Sequence, residues 1–222
     1  MTSSRSKRLV SITLAVLLIV LLALWVHKPQ IHDQHKLVSI PRANQPMLGN
    51  PKARAHIVAF EDLKCTNCKI YNNTLFPKLK SAFIDTGKAN YTVINLAFIP
   101  GSMPAANAAR CLYAQNKAYF FPFVEYVFLN QPDETEDWAT PSTLLQFAKA
   151  SVPKANLELL SQCLIEGRYN RVILDNLKIA SEAMEGKIAT PALFVNGMAV
   201  RNLNFDSIAS LVKHPARDPH EH

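Results

Sequence analysis

An apolar run, Ile57-Val58-Ala59-Phe60, delivers two cysteines at Cys65-Thr66-Asn67-Cys68 after a short connection. The run reads as a buried strand. The helical spacing that follows it places the cysteines in the first turn of a helix. Backbone N–H groups at a helix N-terminus carry partial positive charge, and the Cys65 sulfur would lie beside them. Lys64 and Lys69 add full positive charges nearby in sequence, with Thr66 and Asn67 between the sulfurs. Each influence favours thiolate over thiol, and thiolate is the form that attacks disulfides and leaves from them. Strand, Cys-X-X-Cys and helix in this order suit dithiol–disulfide exchange.

A zinc half-site and a structural crosslink are the competing readings of the motif. Zinc asks for four ligands, usually from a second Cys-X-X-Cys or a His pair. The other cysteines, Cys111 and Cys163, are isolated, and His214, His220 and His222 sit in a polar tail. No metal site and no cofactor are expected on this basis.

With 222 residues, 49% of them hydrophobic, the chain can bury one good core. The net charge is +7, of which Arg5, Lys7 and Arg8 supply +3. What remains is too dilute for a nucleic-acid surface, and no arginine run with interleaved aromatics occurs. Four cysteines, an even number, suit an oxidising compartment, where Cys111 and Cys163 would pair rather than stay free. Closing so long a loop would stabilise by roughly 4 kcal/mol at most on the chain-entropy model.

The N-terminus carries an address. Residues 1–8 form a basic lead, and residues 9–26 are apolar apart from Ser11 and Thr13. That length reaches the lower edge of a membrane-spanning helix and exceeds an ordinary signal-peptide core. The basic lead predicts a cytoplasmic N-terminus and an exported remainder. Ala23-Leu24-Trp25 makes a poor cleavage site, so a retained signal anchor is expected. Residues 27–46 read as a tether, with a possible edge strand at Leu37-Val38-Ser39-Ile40; residues 47–53 read as a turn.

Beyond Cys68, the residues Ile70, Tyr71, Leu75, Leu79 and Phe83 recur at helical spacing up to Gly87, with Pro77 expected to kink the helix. Residues 91–98 alternate and are β-branched, so a strand is expected, giving a strand–helix–strand crossover. Residues 105–115, 117–129, 141–150, 155–166 and 169–184 read as helices, with a polar loop over 131–140. Leu193-Phe194-Val195 and Met198-Ala199-Val200 flank Asn196-Gly197, a strong two-residue hairpin signal. Residues 205–212 then form a closing helix with Asn204 as N-cap.

Taken together, Phe60-X-Asp62-X-X-Cys65-X-X-Cys68, the helical middle, and Thr190-Pro191 before Phe194-Val195-Asn196-Gly197 resemble the thioredoxin-fold DsbA family over about residues 50–212. The resemblance implies an α/β fold, thioredoxin-like with an inserted helical subdomain, preceded here by the N-terminal transmembrane helix. Its parts would be 47–102, the insertion 103–184, and 185–213, with a disordered tail at 214–222. It implies a cis Thr190-Pro191 bond that carries the Thr190 backbone to the cysteines. It also implies that Cys111 and Cys163 match a second, non-catalytic pair found in some members. The chain departs from the pattern in its dipeptide, Thr66-Asn67, which lacks the His of strongly oxidising relatives. It departs again six residues before the first cysteine, where many relatives bury a carboxylate and this chain has Ala59. Strand alternation makes Glu61 and Asp62 poor substitutes, so proton transfer is expected to fall to water or another side chain.

The resulting expectation is an exported thiol–disulfide oxidoreductase that donates a Cys65–Cys68 disulfide to folding envelope proteins. Cys65, the exposed residue at the helix start, would take the substrate, and Cys68 would be its buried partner. By resemblance, a quinone-linked membrane oxidase would restore the disulfide, and the domain would lie outside the inner membrane of a bacterium. A reductase or isomerase, a copper chaperone using the two thiolates, and a redox-silent interaction protein are the alternatives.

Overall fold

The computed structural model describes residues 14, 16–20 and 37–214, and the chain divides into two units, Met1–Gln34 and His35–His222. In the first unit, residues 14 and 16–20 are helical and exposed. The rest of the expected anchor at 9–26 lies outside the described residues, as do most of the tether and residues 215–222. Among the described residues no helix is long and apolar enough to cross a membrane.

The second unit is built on a five-stranded sheet. Strand β1 is Met47–Leu48, β2 is Ala55–Asp62, β3 is Ala89–Leu96, β4 is Ala192–Val195 and β5 is Met198–Ala199. Their spatial order is β1-β3-β2-β4-β5, with β2 parallel to β3 and antiparallel to β4. All eight residues of both β2 and β3 are buried, as central strands covered on both faces are. Side chains alternate across the sheet. Ala55, Ile57 and Ala59 join a large core with Tyr71, Tyr91, Cys65 and Cys68. Val58 and Phe60 join a smaller core on the other face with Ile94, Phe194 and Ala180.

Helix α1, Thr66–Thr74, starts directly after Cys65. It breaks at Leu75, and a short α2, Phe76–Leu79, continues into a wide π turn over Lys80–Ile84. Pro77 stands in the first turn of α2, where its missing N–H costs no intrahelical bond; the expected kink therefore takes the form of a break just ahead of the proline.

The chain between β3 and β4 is helical: α3 Met103–Gln115, α4 Phe120–Asn130, α5 Pro141–Ser151, α6 Leu157–Ile165 and α7 Asn170–Ala183. The side chains of Thr140 and Asn156 accept N-capping bonds that start α5 and α6. Helices α3 and α6 are joined by a disulfide between Cys111 and Cys163, with the Cα atoms 6.1 Å apart. Helix α7 returns to the sheet, where the Asn176 amide donates to the Asn95 carbonyl of β3 at 2.9 Å. The closing helix α8, Phe205–Lys213, is capped by Asn204.

Two local expectations are corrected. The turn-like segment 47–53 contains β1, which pairs antiparallel with β3. Residues 37–40 form no strand; Val38 instead donates one bond, 2.9 Å, to the carbonyl of Gly197 in the hairpin turn. That approach also explains the glycine. Asn196 and Gly197 both have positive φ, as a tight primed hairpin turn requires, and a Cβ on Gly197 would meet the Val38 carbonyl at 2.5 Å.

Candidate active site

Cys65 occupies the N-cap position of α1 with extended backbone, and both motif cysteines are free thiols. Cys65 is 5% exposed and Cys68 fully buried, so the expectation of an open Cys65 is corrected: the two differ more in chemistry than in exposure. Across from them, the Thr190-Pro191 bond is cis, and the Thr190 carbonyl lies 3.5 Å from the Cys65 sulfur.

The surroundings pull the two thiols apart in acidity. Cys65 is lowered to about 6, chiefly by hydrogen bonding from the Cys68 thiol, against the opposing effect of its own burial. Thr190 and the backbone amides of Cys68 and Asn67 add to the lowering. Cys68 moves the other way, well above the ordinary thiol value, because burial penalises its thiolate and Cys65 and Glu61 reinforce the penalty. One thiol is thus prepared to carry charge and the other to keep its proton.

The lysines contribute differently from the sequence reading. Lys64 is buried, and its ammonium donates to the backbone carbonyls of Pro100 (3.1 Å) and Glu136 (2.8 Å). The Lys69 ammonium donates to the Gln131 carbonyl at 2.8 Å. Both act as struts for the loops around the motif. Asp62 completes this frame: its carboxylate accepts from Lys64 N–H, Phe98 N–H, Ile99 N–H and the Ser102 hydroxyl. Asp62 is accordingly a loop anchor, with its acidity weakened by burial.

Glu61 is the residue that sequence reasoning set aside. Strand β2 extends to Asp62, so Glu61 shares the sheet face of Ala59, two residues closer to the cysteines. It is 1% exposed and accepts from the Tyr91 hydroxyl and the Asn72 amide, each at 2.5 Å. Tyr71 donates in turn to Tyr91 at 3.2 Å. Burial pushes the Glu61 carboxyl up to about 7, the two hydrogen bonds restrain the rise, and charge on Cys65 adds to it. The signal was present in the strand's parity. Asn72 lies one helical turn beyond Cys68, donating also to the Cys68 carbonyl at 3.0 Å, whereas Tyr91 arrives from the neighbouring strand. The expectation that no carboxylate substitutes for Ala59 is corrected by this arrangement.

A free dithiol at a helix N-terminus, split in acidity and facing a cis-proline loop on a sheet interrupted by a helical insertion, defines a thioredoxin-fold thiol:disulfide oxidoreductase. Comparison with known proteins agrees. The family model described as Thioredoxin matches residues 42–214. Disulfide bond formation protein D of Bacillus subtilis is 32% identical over 171 residues, covering 76% of each chain. The crystal structure of oxidised BdbD from Bacillus subtilis superposes with a TM-score of 0.74 at 29% identity, covering 80% of this chain and 96% of that one. DsbA of Chlamydia trachomatis gives a TM-score of 0.73 at 28% identity, covering 81% and 95%. The chain belongs to the thioredoxin family, among its DsbA-like disulfide-forming oxidoreductases.

Proposed function

We propose that the protein oxidises pairs of thiols in exported proteins as they fold, outside the cytoplasmic membrane of a bacterium. The observation that carries this reading is the opposite displacement of the two thiols. A depressed Cys65 stabilises the reduced form, and a couple whose reduced form is stabilised is an oxidant.

The exchange runs as follows. A substrate thiolate attacks the Cys65 sulfur of the Cys65–Cys68 disulfide, forming a mixed disulfide and expelling Cys68 as thiolate. Because Cys68 disfavours charge, it takes a proton, and Glu61 is the acid whose value near 7 suits that transfer. A second substrate thiolate then attacks the substrate sulfur of the mixed disulfide. The substrate leaves oxidised, and Cys65 departs as the stabilised thiolate. Thr190 and Pro191 would hold the incoming chain against Cys65; the Thr190 carbonyl, 3.5 Å from that sulfur, supports this role. Re-forming the bond removes two electrons, and a quinone-linked membrane oxidase is the class of partner that would accept them. The apolar segment 9–26 would hold the protein at the membrane where that partner resides.

Equilibration of the full chain with glutathione redox buffers tests the direction. A potential well above the thioredoxin value of about −270 mV supports the oxidase; one at or below it makes the protein a reductase.

A further inference from the structure

The first three amides of α1 do not all serve Cys65. Asn67 and Cys68 contribute their backbone amides to the sulfur, whereas the Thr66 N–H donates to the Glu134 carboxylate at 2.8 Å. Glu134 arrives from the polar loop between α4 and α5, far along the chain, and the loop is fixed in place by several bonds. Lys69 Nζ donates to the Gln131 carbonyl at 2.8 Å and Gln131 Nε2 to the Lys64 carbonyl at 3.1 Å. Lys64 Nζ donates to the Glu136 carbonyl at 2.8 Å. Asp133 folds the loop locally by accepting from the Thr135 N–H and hydroxyl at 2.9 and 2.6 Å.

We propose that Glu134 is a positioning residue that sets the redox potential of the Cys65–Cys68 pair by occupying the positive end of α1. Reduction of the disulfide creates negative charge on Cys65, and that charge competes with the Glu134 carboxylate for a single helix N-terminus. The helix N-terminus then faces two anions, and the carboxylate takes a share of its field. Its effect is to disfavour the thiolate, restrain the oxidising power of the couple and tie that restraint to the position of the helical insertion. The loop thus does more than cover the motif: it meters the same field that activates the sulfur. This proposal deepens the oxidoreductase reading and rests on the Cys65–Cys68 pair being its redox couple.

The test compares full-length Glu134→Gln and Glu136→Gln with wild type. In each measurement two glutathione thiols reduce the protein disulfide and yield one glutathione disulfide. Glutamine at 134 keeps an oxygen able to accept from Thr66 and removes only the charge. Glu136 offers Lys64 its backbone carbonyl, so Glu136→Gln removes a charge from the same loop without touching the helix. E134Q is expected to shift the equilibrium constant about threefold toward the reduced form. That corresponds to about 14 mV at about 30 mV per tenfold for a two-electron couple. The thiolate absorbance of Cys65 at a fixed, mildly acidic pH should rise in parallel, and E136Q should leave both unchanged. Equal values for E134Q and E136Q, or a shift toward the disulfide, would overturn the proposal. The comparison is relative: a low wild-type potential would refute the oxidase direction and leave the Glu134 effect readable.

Discussion

The protein carries two cysteine pairs in opposite circumstances. Cys65 and Cys68 share one helix start, and Cys111 and Cys163 join two helices across a sequence separation of 52. All four sulfurs are nearly or fully buried, so exposure does not separate the pairs. Charge does. The first pair sits between a helix N-terminus and a carboxyl held near 7, and its two thiols are driven in opposite directions. The second pair has an amide for its polar neighbour: Asn107 lies 3.7 Å from the Cys111 sulfur and donates to the Cys163 carbonyl. Both of its sulfurs are held in the disulfide and do not titrate. A buried sulfur becomes a redox group when its surroundings stabilise one charge state of one partner, and stays a crosslink when they stabilise neither.

The largest effect separates the pairs outright. Cys65→Ser should abolish catalysed oxidation of a dithiol peptide, whereas the double variant Cys111→Ser/Cys163→Ser should retain it. The double variant should instead lose about 2–4 kcal/mol of stability in urea unfolding, within the chain-entropy expectation for so long a loop. Its Cys65–Cys68 potential should stay that of wild type. A large change in that potential would show the pairs to be coupled and would break the division drawn here.

This division was half legible in the sequence. The spacing of Cys65 and Cys68, Thr190-Pro191 and Asn196-Gly197 are local patterns, and local patterns fix a helix start, a loop and a hairpin. The helices of the insertion were equally readable from periodicity, and Asn156 and Thr140 mark two of their starts by capping. What escaped was the supply of charge and hydrogen bonds across the fold. Lys64 stands beside Cys65 in sequence, yet its ammonium reaches away to Pro100 and Glu136. Glu61 escapes a short-window reading because β2 keeps its parity through its last residues. Tyr91 and Glu134 meet the site only through the β2–β3 register and the loop after α4, and no spacing rule encodes either meeting.

Glu61→Gln sharpens the comparison within the active pair. Removing the carboxyl proposed to exchange a proton with Cys68 should slow disulfide transfer about tenfold. That lies below the usual general acid–base contribution of about 10²–10⁴, because a thiolate can leave without obligatory protonation. The pH–rate profile should lose its inflection near 7. An unchanged profile would assign that proton to solvent.

A pH dependence isolates Cys65 by subtraction. Cys65 has a folded value near 6 against an ordinary 9.0, so the unfolded reduced chain binds more protons between those limits. Stability of the reduced protein from this source is therefore full above about 9 and is lost as pH falls through 6. Glu61 runs the opposite way: its folded value near 7 exceeds the ordinary 4.5, so its contribution is present at low pH and declines as pH rises through 7. The disulfide form keeps the Glu61 trend and has no Cys65 thiol to titrate. Urea unfolding of both forms from pH 5 to 9 should give curves whose difference starts to change near 6 and grows in favour of the reduced state. Alkylation of reduced protein by iodoacetamide should follow the same onset at Cys65 while Cys68 stays unreacted. A difference curve flat through that window would mean that neither the Cys68 thiol nor the helix start stabilises the thiolate, and the contrast with Cys111–Cys163 would then rest on Glu61 alone.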